Sequence, residues 1–208
     1  VRFAKYLVGK EWFVIKFDYQ KGNGYIDVWT DTDYAGCKKT RKSTSGGVVM
    51  MGKHLIKSWS STQATIATSS GEAELHAMYD GATRGLGMKT VMEELCLKPD
   101  FALCRVCTDS SAAKSFVSTR GLGRMRHVEV KLLWLQEMVQ KGRVRVRKVH
   151  GATNVADVLT KYHTADNMYR ILAQHAVVQT AAAAVTAGPR GGVERKGQPQ
   201  QVPQNVAR

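Results

Sequence analysis

Residues 25–47 read YIDVWTDTDYAGCKKTRKSTSGG, and the order of apolar, acidic and basic residues in this stretch decides the interpretation of the chain. An apolar-leaning run from Tyr25 predicts a β-strand that ends at Asp31, with Asp33 two residues later. Four cations then follow in a short loop: Lys38, Lys39, Arg41 and Lys42. Carboxylates that share a strand end repel one another unless a positive charge lies between them. The stretch therefore predicts a cation site beside a basic loop.

The segments after this stretch predict an α/β fold. Residues 45–52 (SGGVVMMG) and 55–61 (LIKSWSS) are short apolar runs with a hairpin-length link, so three antiparallel strands come first. From Ser69 the apolar residues recur at helical spacing, and Ser69 with Glu72 fits a capping box. Strands over residues 101–109 and 143–150 then alternate with helices. This order predicts a mixed sheet with helices on both faces.

The ends of the chain differ from its middle. We interpret residues 1–22 as a connector from an upstream domain, residues 23–165 as the main domain and residues 166–180 as a C-terminal helix. Residues 181–208 contain Gly, Pro and Gln without an apolar period, which predicts a disordered tail. The chain begins with Val1 and is expected to be a piece of a longer protein.

Composition narrows the classes of partner. The 208 residues include 31 Lys and Arg against 17 Asp and Glu, a net charge of +14. This excess favours a polyanionic partner such as nucleic acid, an anionic membrane or an acidic protein, although a solvated basic surface is the simpler alternative. No run approaches the roughly 20 apolar residues that span a bilayer, so no membrane association is expected. Cys104 and Cys107 form a lone CxxC pair inside a strand, which we interpret as structural.

Four acids are candidates for the cation site. Asp31 and Asp109 end two predicted strands, and Asp157 lies in a predicted helical turn. Each of these has an ordinary alternative as a turn, cap or helix-dipole residue. Glu74 shares a helix face with small and apolar residues, where a carboxylate is costly unless it is paired or bound to metal. Oxygen ligands select hard ions, so convergence of the four would predict two Mg²⁺ ions, or Mn²⁺ in their place, and phosphodiester cleavage.

Five segments carry a resemblance to a known family. Residues 30–47, 58–75, 107–115, 125–136 and 154–161 resemble, in order and spacing, the ribonuclease H domain of copia-type retrotransposon Pol polyproteins. The resemblance implies a ribonuclease H-like fold, with three antiparallel and then two parallel strands flanked by helices. It implies hydrolysis of the RNA strand of an RNA–DNA hybrid with two Mg²⁺ ions. Asp31 would bridge the metals, Glu74 and Asp109 would complete one site, and Asp157 would complete the other.

The resemblance also implies further residues, partners and a location. His150 lies in a loop similar to one that carries a helper histidine in related cellular enzymes, although here the loop is shorter. The hybrid would rest on basic residues, and a reverse transcriptase in the same polyprotein would precede residue 23. The domain would work inside the cell, in a cytoplasmic virus-like particle or the nucleus. The candidate hybrid contacts are Lys38, Lys39, Arg41, Lys42, Arg124, Arg126 and His127, with Arg143, Arg145 and Arg147 on one strand face as a weaker set.

Two other functions stay open from the sequence. The first is a catalytically inactive domain of a degenerate retroelement that binds nucleic acid or acts as a scaffold. The second is another nuclease or transferase on the same fold, such as an integrase-like enzyme. The presence of all four acids argues against the first, and the position of the helical Glu74 in mid-chain argues against the second.

Overall fold

The computed structural model describes residues 13–15, 17–95, 103–122, 129–175 and 178–180. Its larger compact unit spans Ile15–Val178. The smaller unit comprises residues 1–14 and 179–208, most of which lie outside the described residues, including the predicted tail. Strands β1 (Phe13–Ile15) and β7 (Val178–Thr180) form a sheet of two strands.

A five-stranded mixed sheet is the centre of the larger unit. Its strands are β2 (Tyr25–Asp33), β3 (Thr44–Met51), β4 (His54–Thr62), β5 (Leu103–Thr108) and β6 (Val144–Lys148). The spatial order is β4-β3-β2-β5-β6, with antiparallel pairing from β2 to β4 and parallel pairing of β2 with β5 and of β5 with β6. The predicted sheet of three antiparallel and two parallel strands is confirmed.

Strand β2 continues two residues beyond its predicted end. Asp31 pairs with Gly46 and Asp33 pairs with Thr44, so both aspartates lie inside the β2–β3 ladder. The prediction of an end at Asp31 was wrong because the ladder supplies backbone partners to a segment whose side chains are typical of a turn.

Helix α1 (Ser70–Glu94) packs closely on β2 and β5. A Cβ on Gly81 would lie 2.6 Å from Thr30 Cγ2, and a Cβ on Gly85 would lie 2.6 Å from Cys104 Sγ. Glycine is required at these two positions because the helix backbone rests directly on the sheet. The Ser69 hydroxyl accepts from the Glu72 backbone N–H at 3.2 Å, as the capping box predicts, but the Glu72 carboxylate accepts from Thr68 instead of Ser69.

Two further helices complete this face of the sheet. Helices α2 (Ser111–Ser118) and α3 (Val130–Gln140) follow β5, and their apolar side chains join those of α1 in the main core. Cys104 is buried in that core, while Cys107 lies buried near Asp27. Burial raises the pKa of both thiols to about 12, which agrees with a structural role for the pair.

The opposite face is covered by the segment after β6. This segment forms two 3₁₀ helices (Gly151–Thr153 and Val155–Leu159) and then α4 (Ala165–Ala173), which enclose a smaller core with Val48 and Met50. The α-helix predicted around Asp157 is therefore a 3₁₀ helix. The helix predicted over residues 166–180 ends at Ala173, and Val178–Thr180 is a strand. In the described ranges, no helix combines the length and apolar character needed to cross a membrane.

Candidate metal centre

Asp31 is the most enclosed of the four candidate acids. It lies on the central strand β2, and its side chain is only 2% exposed. Its Oδ2 accepts a hydrogen bond from the Thr160 hydroxyl and lies 3.4 Å from Lys161 Nζ. Burial raises the pKa of Asp31, and the Thr160 and Lys161 contacts partly offset that effect.

Glu74 reaches the same place from the first turns of α1. Its Oε2 is buried and accepts no hydrogen bond from the described residues. The pKa of Glu74 is raised to about 8, chiefly by burial and in smaller part by the charges of Asp31 and Asp109. The Thr32 hydroxyl lies near the carboxyl without completing a hydrogen bond and offsets only part of this. In these surroundings the carboxyl keeps its proton unless a cation stabilises the ionised form.

Asp109 supplies the third carboxylate, directly after β5 ends at Thr108. The backbone of Gly151 approaches it so closely that a Cβ there would lie 3.0 Å from Asp109 Oδ2. Asp31, Glu74 and Asp109 each present a ligand atom within 4.8 Å of the other two. The structure thus brings together acids from a strand, a helix and a loop that lie 43 and 35 residues apart in sequence.

The three carboxylates fit a divalent metal ion. The donors are all oxygens, which is the set that Mg²⁺ and Mn²⁺ prefer. The unpartnered Oε2 of Glu74 lies near carboxylates that raise its pKa, so the ionised form of Glu74 is not compensated by the described residues. A bound cation would remove both the repulsion and the unpaired oxygen.

Asp157 lies beside this group and is not one of the three clustered acids. Its charge contributes to the raised pKa of Asp31, and its carboxylate contacts Lys161 Nζ. His163 Nε2 lies 3.0 Å from Asp157 Oδ2. The other ring nitrogen, Nδ1, lies 2.7 Å from Asn167 Nδ2, whose amide oxygen accepts from Arg170. This arrangement assigns the proton to Nε2, which donates to Asp157.

The amino-acid sequence is similar to those of known transposon proteins. The chain is 30% identical over 134 residues to the retrovirus-related Pol polyprotein from transposon TNT 1-94 of Nicotiana tabacum, a match over 64% of this chain. It is 30% identical over 144 residues, 68% of this chain, to that from transposon RE1 of Arabidopsis thaliana. The chain belongs to the retrovirus-related Pol polyproteins of transposons. It spans 10% of the length of these two relatives.

Family models and solved structures say less about the chain than the Pol relatives do. No family model matches this Pol segment. Among solved structures, it is similar to the N-terminal RNase H domain of Rv2228c from Mycobacterium tuberculosis, with a TM-score of 0.44 and 18% identity over 73% of this chain and 98% of that chain. A likeness at this identity and TM-score carries no argument about the activity of the Pol segment.

His150 and Asp33 are not among the three clustered acids of the Pol segment. His150 is exposed, caps the first 3₁₀ helix by accepting from the Ala152 N–H at 3.2 Å, and precedes Gly151, which abuts Asp109. Asp33 lies outside the acid cluster, with its carboxylate where a Cβ on Gly36 would be. The roles assigned to Asp31, Glu74, Asp109, Asp157 and His150 stay predictions.

The predicted hybrid contacts fall into three groups. Lys38, Lys39 and Arg41 are exposed in the loop after β2, and Lys42 is half-buried there. Arg124, Arg126 and His127 lie outside the described residues. The weaker set is exposed: Arg145 and Arg147 lie on β6, and Arg143 directly precedes it. Arg145 donates to the Tyr25 hydroxyl at 2.9 Å.

Sequence reasoning missed the residues that hold Asp31 and Asp157. Thr160, Lys161 and His163 contact these carboxylates, and none of them was predicted to take part. The sequence did contain a signal for the pair of Lys161 and Asp157, because an acid and a lysine four residues apart can form an ion pair on a helix. The contact of Thr160 with Asp31 left no such signal, since it joins residues 129 positions apart.

Proposed function

We propose that this Pol segment is a divalent-metal-dependent ribonuclease H of a copia-type retrotransposon, which hydrolyses the RNA strand of an RNA–DNA hybrid during reverse transcription. The observation that carries the proposal is the convergence of Asp31, Glu74 and Asp109, with a buried oxygen of Glu74 left unpartnered. The five motif resemblances and the Pol relatives support it.

In this proposal Asp31, Glu74 and Asp109 hold one ion, and Asp157 with Asp31 offers carboxylates for a second. A bound Mg²⁺ or Mn²⁺ supplies Lewis-acid polarisation of the scissile phosphate and a water of lowered pKa. The chain's own contribution is to hold the carboxylates together: β2 fixes Asp31, α1 presents Glu74, and the His163 N–H orients Asp157.

The substrate is inferred from the cations that follow β2 in sequence. The exposed cations after β2 would contact phosphates of the hybrid, and 2′-hydroxyl groups would distinguish RNA from DNA. His150, next to the loop that abuts Asp109, would assist proton transfer to the leaving group. The partner within the polyprotein would be a reverse transcriptase, and the activity would take place in a virus-like particle or the nucleus.

A cleavage assay on matched substrates tests the proposal. The 208-residue chain is incubated with an RNA–DNA hybrid, duplex DNA or duplex RNA, each with Mg²⁺, Mn²⁺ or EDTA. We expect cleavage of RNA in the hybrid alone, loss of cleavage in EDTA, and loss in Glu74→Gln with retained hybrid binding. Binding of the hybrid without cleavage would favour an inactive nucleic-acid-binding domain, and equal cutting of both strands would favour another nuclease.

A further inference from the structure

Lys161 is placed at the acid cluster in a way that the proposed cleavage does not explain. Within the described ranges, it is the one lysine or arginine whose side chain forms a salt bridge with any of the four candidate acids. Its Nζ contacts Asp157 and lies 3.4 Å from Asp31 Oδ2. One ammonium group therefore neutralises two carboxylates from different elements.

The backbone that carries Lys161 is held firmly against the sheet. Asn154 is fully buried, and its amide donates to the Thr30 carbonyl at 2.9 Å. At the other end of the 3₁₀ helix, Thr160 packs on Gly46, where a Cβ would lie 2.6 Å from Thr160 Cγ2. These contacts place the start of the Lys161 side chain beside Asp31 whether or not the ammonium stays there.

The ammonium itself remains free to move. The Lys161 side chain is 44% exposed, whereas that of Asp31 is 2% exposed and that of Asp157 is 18% exposed. A half-exposed lysine can move its ammonium group into the solvent and lose only an ion pair of the weak kind found at protein surfaces. The buried carboxylates cannot leave, so whichever cation is present must come to them.

We propose that Lys161 is a built-in counter-cation, which holds Asp31 and Asp157 together in the metal-free protein and competes with a divalent ion for these two carboxylates. Lys161 is thus a positioning residue that acts through Asp31 and Asp157. The inference rests on the proposed function in one respect, namely that these acids bind a divalent ion. It adds that the chain lowers its own affinity for that ion.

Two consequences follow with opposite signs. Without metal, removing the ammonium leaves Asp31 and Asp157 unscreened, so the fold becomes less stable. With metal, the same removal abolishes the competitor, so the ion binds more tightly. A residue that served only the structure would lower stability in both conditions and would not tighten metal binding.

The test compares Lys161→Gln with Lys141→Gln in the full chain. Lys141 pairs with Glu137 at the same four-residue spacing on an exposed part of α3 and has no contact with the acids, so it is the matched control. Lys161→Arg keeps the positive charge and serves as the conservative variant. Thermal unfolding is measured in EDTA and across a Mg²⁺ titration, and Mg²⁺ affinity is measured by calorimetry.

We expect Lys161→Gln to melt below the wild type in EDTA and to match it in saturating Mg²⁺. Its Mg²⁺ dissociation constant should fall about three- to tenfold, the range expected for loss of one partly exposed ion pair. Lys141→Gln and Lys161→Arg should follow the wild type.

Two contrary results are distinguishable. Unchanged or weaker Mg²⁺ binding by Lys161→Gln, beside clear binding by the wild type, overturns the inference alone. Absence of Mg²⁺ and Mn²⁺ binding by the wild type overturns both this inference and the proposed function.

Discussion

Replacing Glu74 by Gln should change how the stability of the metal-free protein depends on pH. Burial raises the pKa of Glu74 from 4.5 to about 8, so between these values the folded state holds a proton that the unfolded state releases. The free energy of unfolding therefore falls as the pH rises through this window. Gln has the same shape and no proton to lose, so the variant lacks this part of the decline.

The magnitude follows from the two pKa values. The difference between 4.5 and about 8 corresponds to roughly 5 kcal/mol, at about 1.36 kcal/mol for each pKa unit. Glu74 is half-buried, and solvent screening reduces the measurable part to about 2–4 kcal/mol. Below about pH 4.5 the variant should resemble the wild type, and near pH 9 it should be more stable by roughly this amount.

Urea unfolding in EDTA at a series of pH values measures the effect, with Glu93→Gln as the control. Glu93 lies on the same helix, is exposed and pairs with Lys89, so its replacement should leave the pH dependence unchanged. Parallel stability curves for the wild type and Glu74→Gln would show that this carboxyl titrates normally. The argument for a cation at Glu74 would then fail.

Four further predictions address packing, ligand identity, protons and charge. Gly85→Ala should lower the free energy of unfolding by about 1–3 kcal/mol, because the new methyl group would press on Cys104 and Val28. Gly87→Ala, with nothing within 4 Å of the new Cβ, should raise it by about 0.5–1 kcal/mol. Equal urea midpoints for the two variants would contradict the packing. Asp31→Asn should lower the rate of hybrid cleavage on the order of 10²-fold, while Asp33→Asn should retain cleavage. The reverse result would make Asp33, not Asp31, the metal ligand. Calorimetry in buffers of different ionisation enthalpy should show that Mg²⁺ binding near pH 7 releases protons, because Glu74, with a pKa of about 8, must ionise to bind the ion. Mg²⁺ binding without proton release would refute this. The double variant Lys38→Gln and Lys39→Gln should flatten the salt dependence of hybrid binding by about one to two in slope, and an unchanged slope would exclude both as phosphate contacts.

Much of the fold was predictable because each element carries a local period. The short apolar run in β3, the alternation in β6 and the helical spacing in α1 each identify an element without reference to its neighbours. The segment after β6 was mispredicted for the opposite reason. Its conformation depends on the buried bond from Asn154 to the Thr30 carbonyl, which joins residues 124 positions apart and leaves no periodic pattern.

The acids of the candidate site were predictable because a charged residue at an apolar or buried position is unusual. Glu74 lies on an apolar helix face, Asp31 lies near the end of a buried strand and Asp109 directly follows another, so each was conspicuous. The groups that compensate these charges are ordinary surface residues in the sequence. A threonine such as Thr160 or a lysine such as Lys161 acquires its role only when the chain returns to β2.

Small residues at the contacts explain how carboxylates from separate elements come so close. Gly46 admits Thr160 and Leu159 to the face of β3 beside Asp31, and Gly151 admits its loop to Asp109 Oδ2. A Cβ at Gly46 would overlap two side chains, and relief would require the 3₁₀ helix to move away from the sheet. Thr160 and Lys161 would move with it, and Asp31 would lose the hydrogen bond and the ion pair that now offset its burial. Gly46 and Gly151 are therefore part of the candidate metal centre, because they set the separation at which one cation can serve several acids.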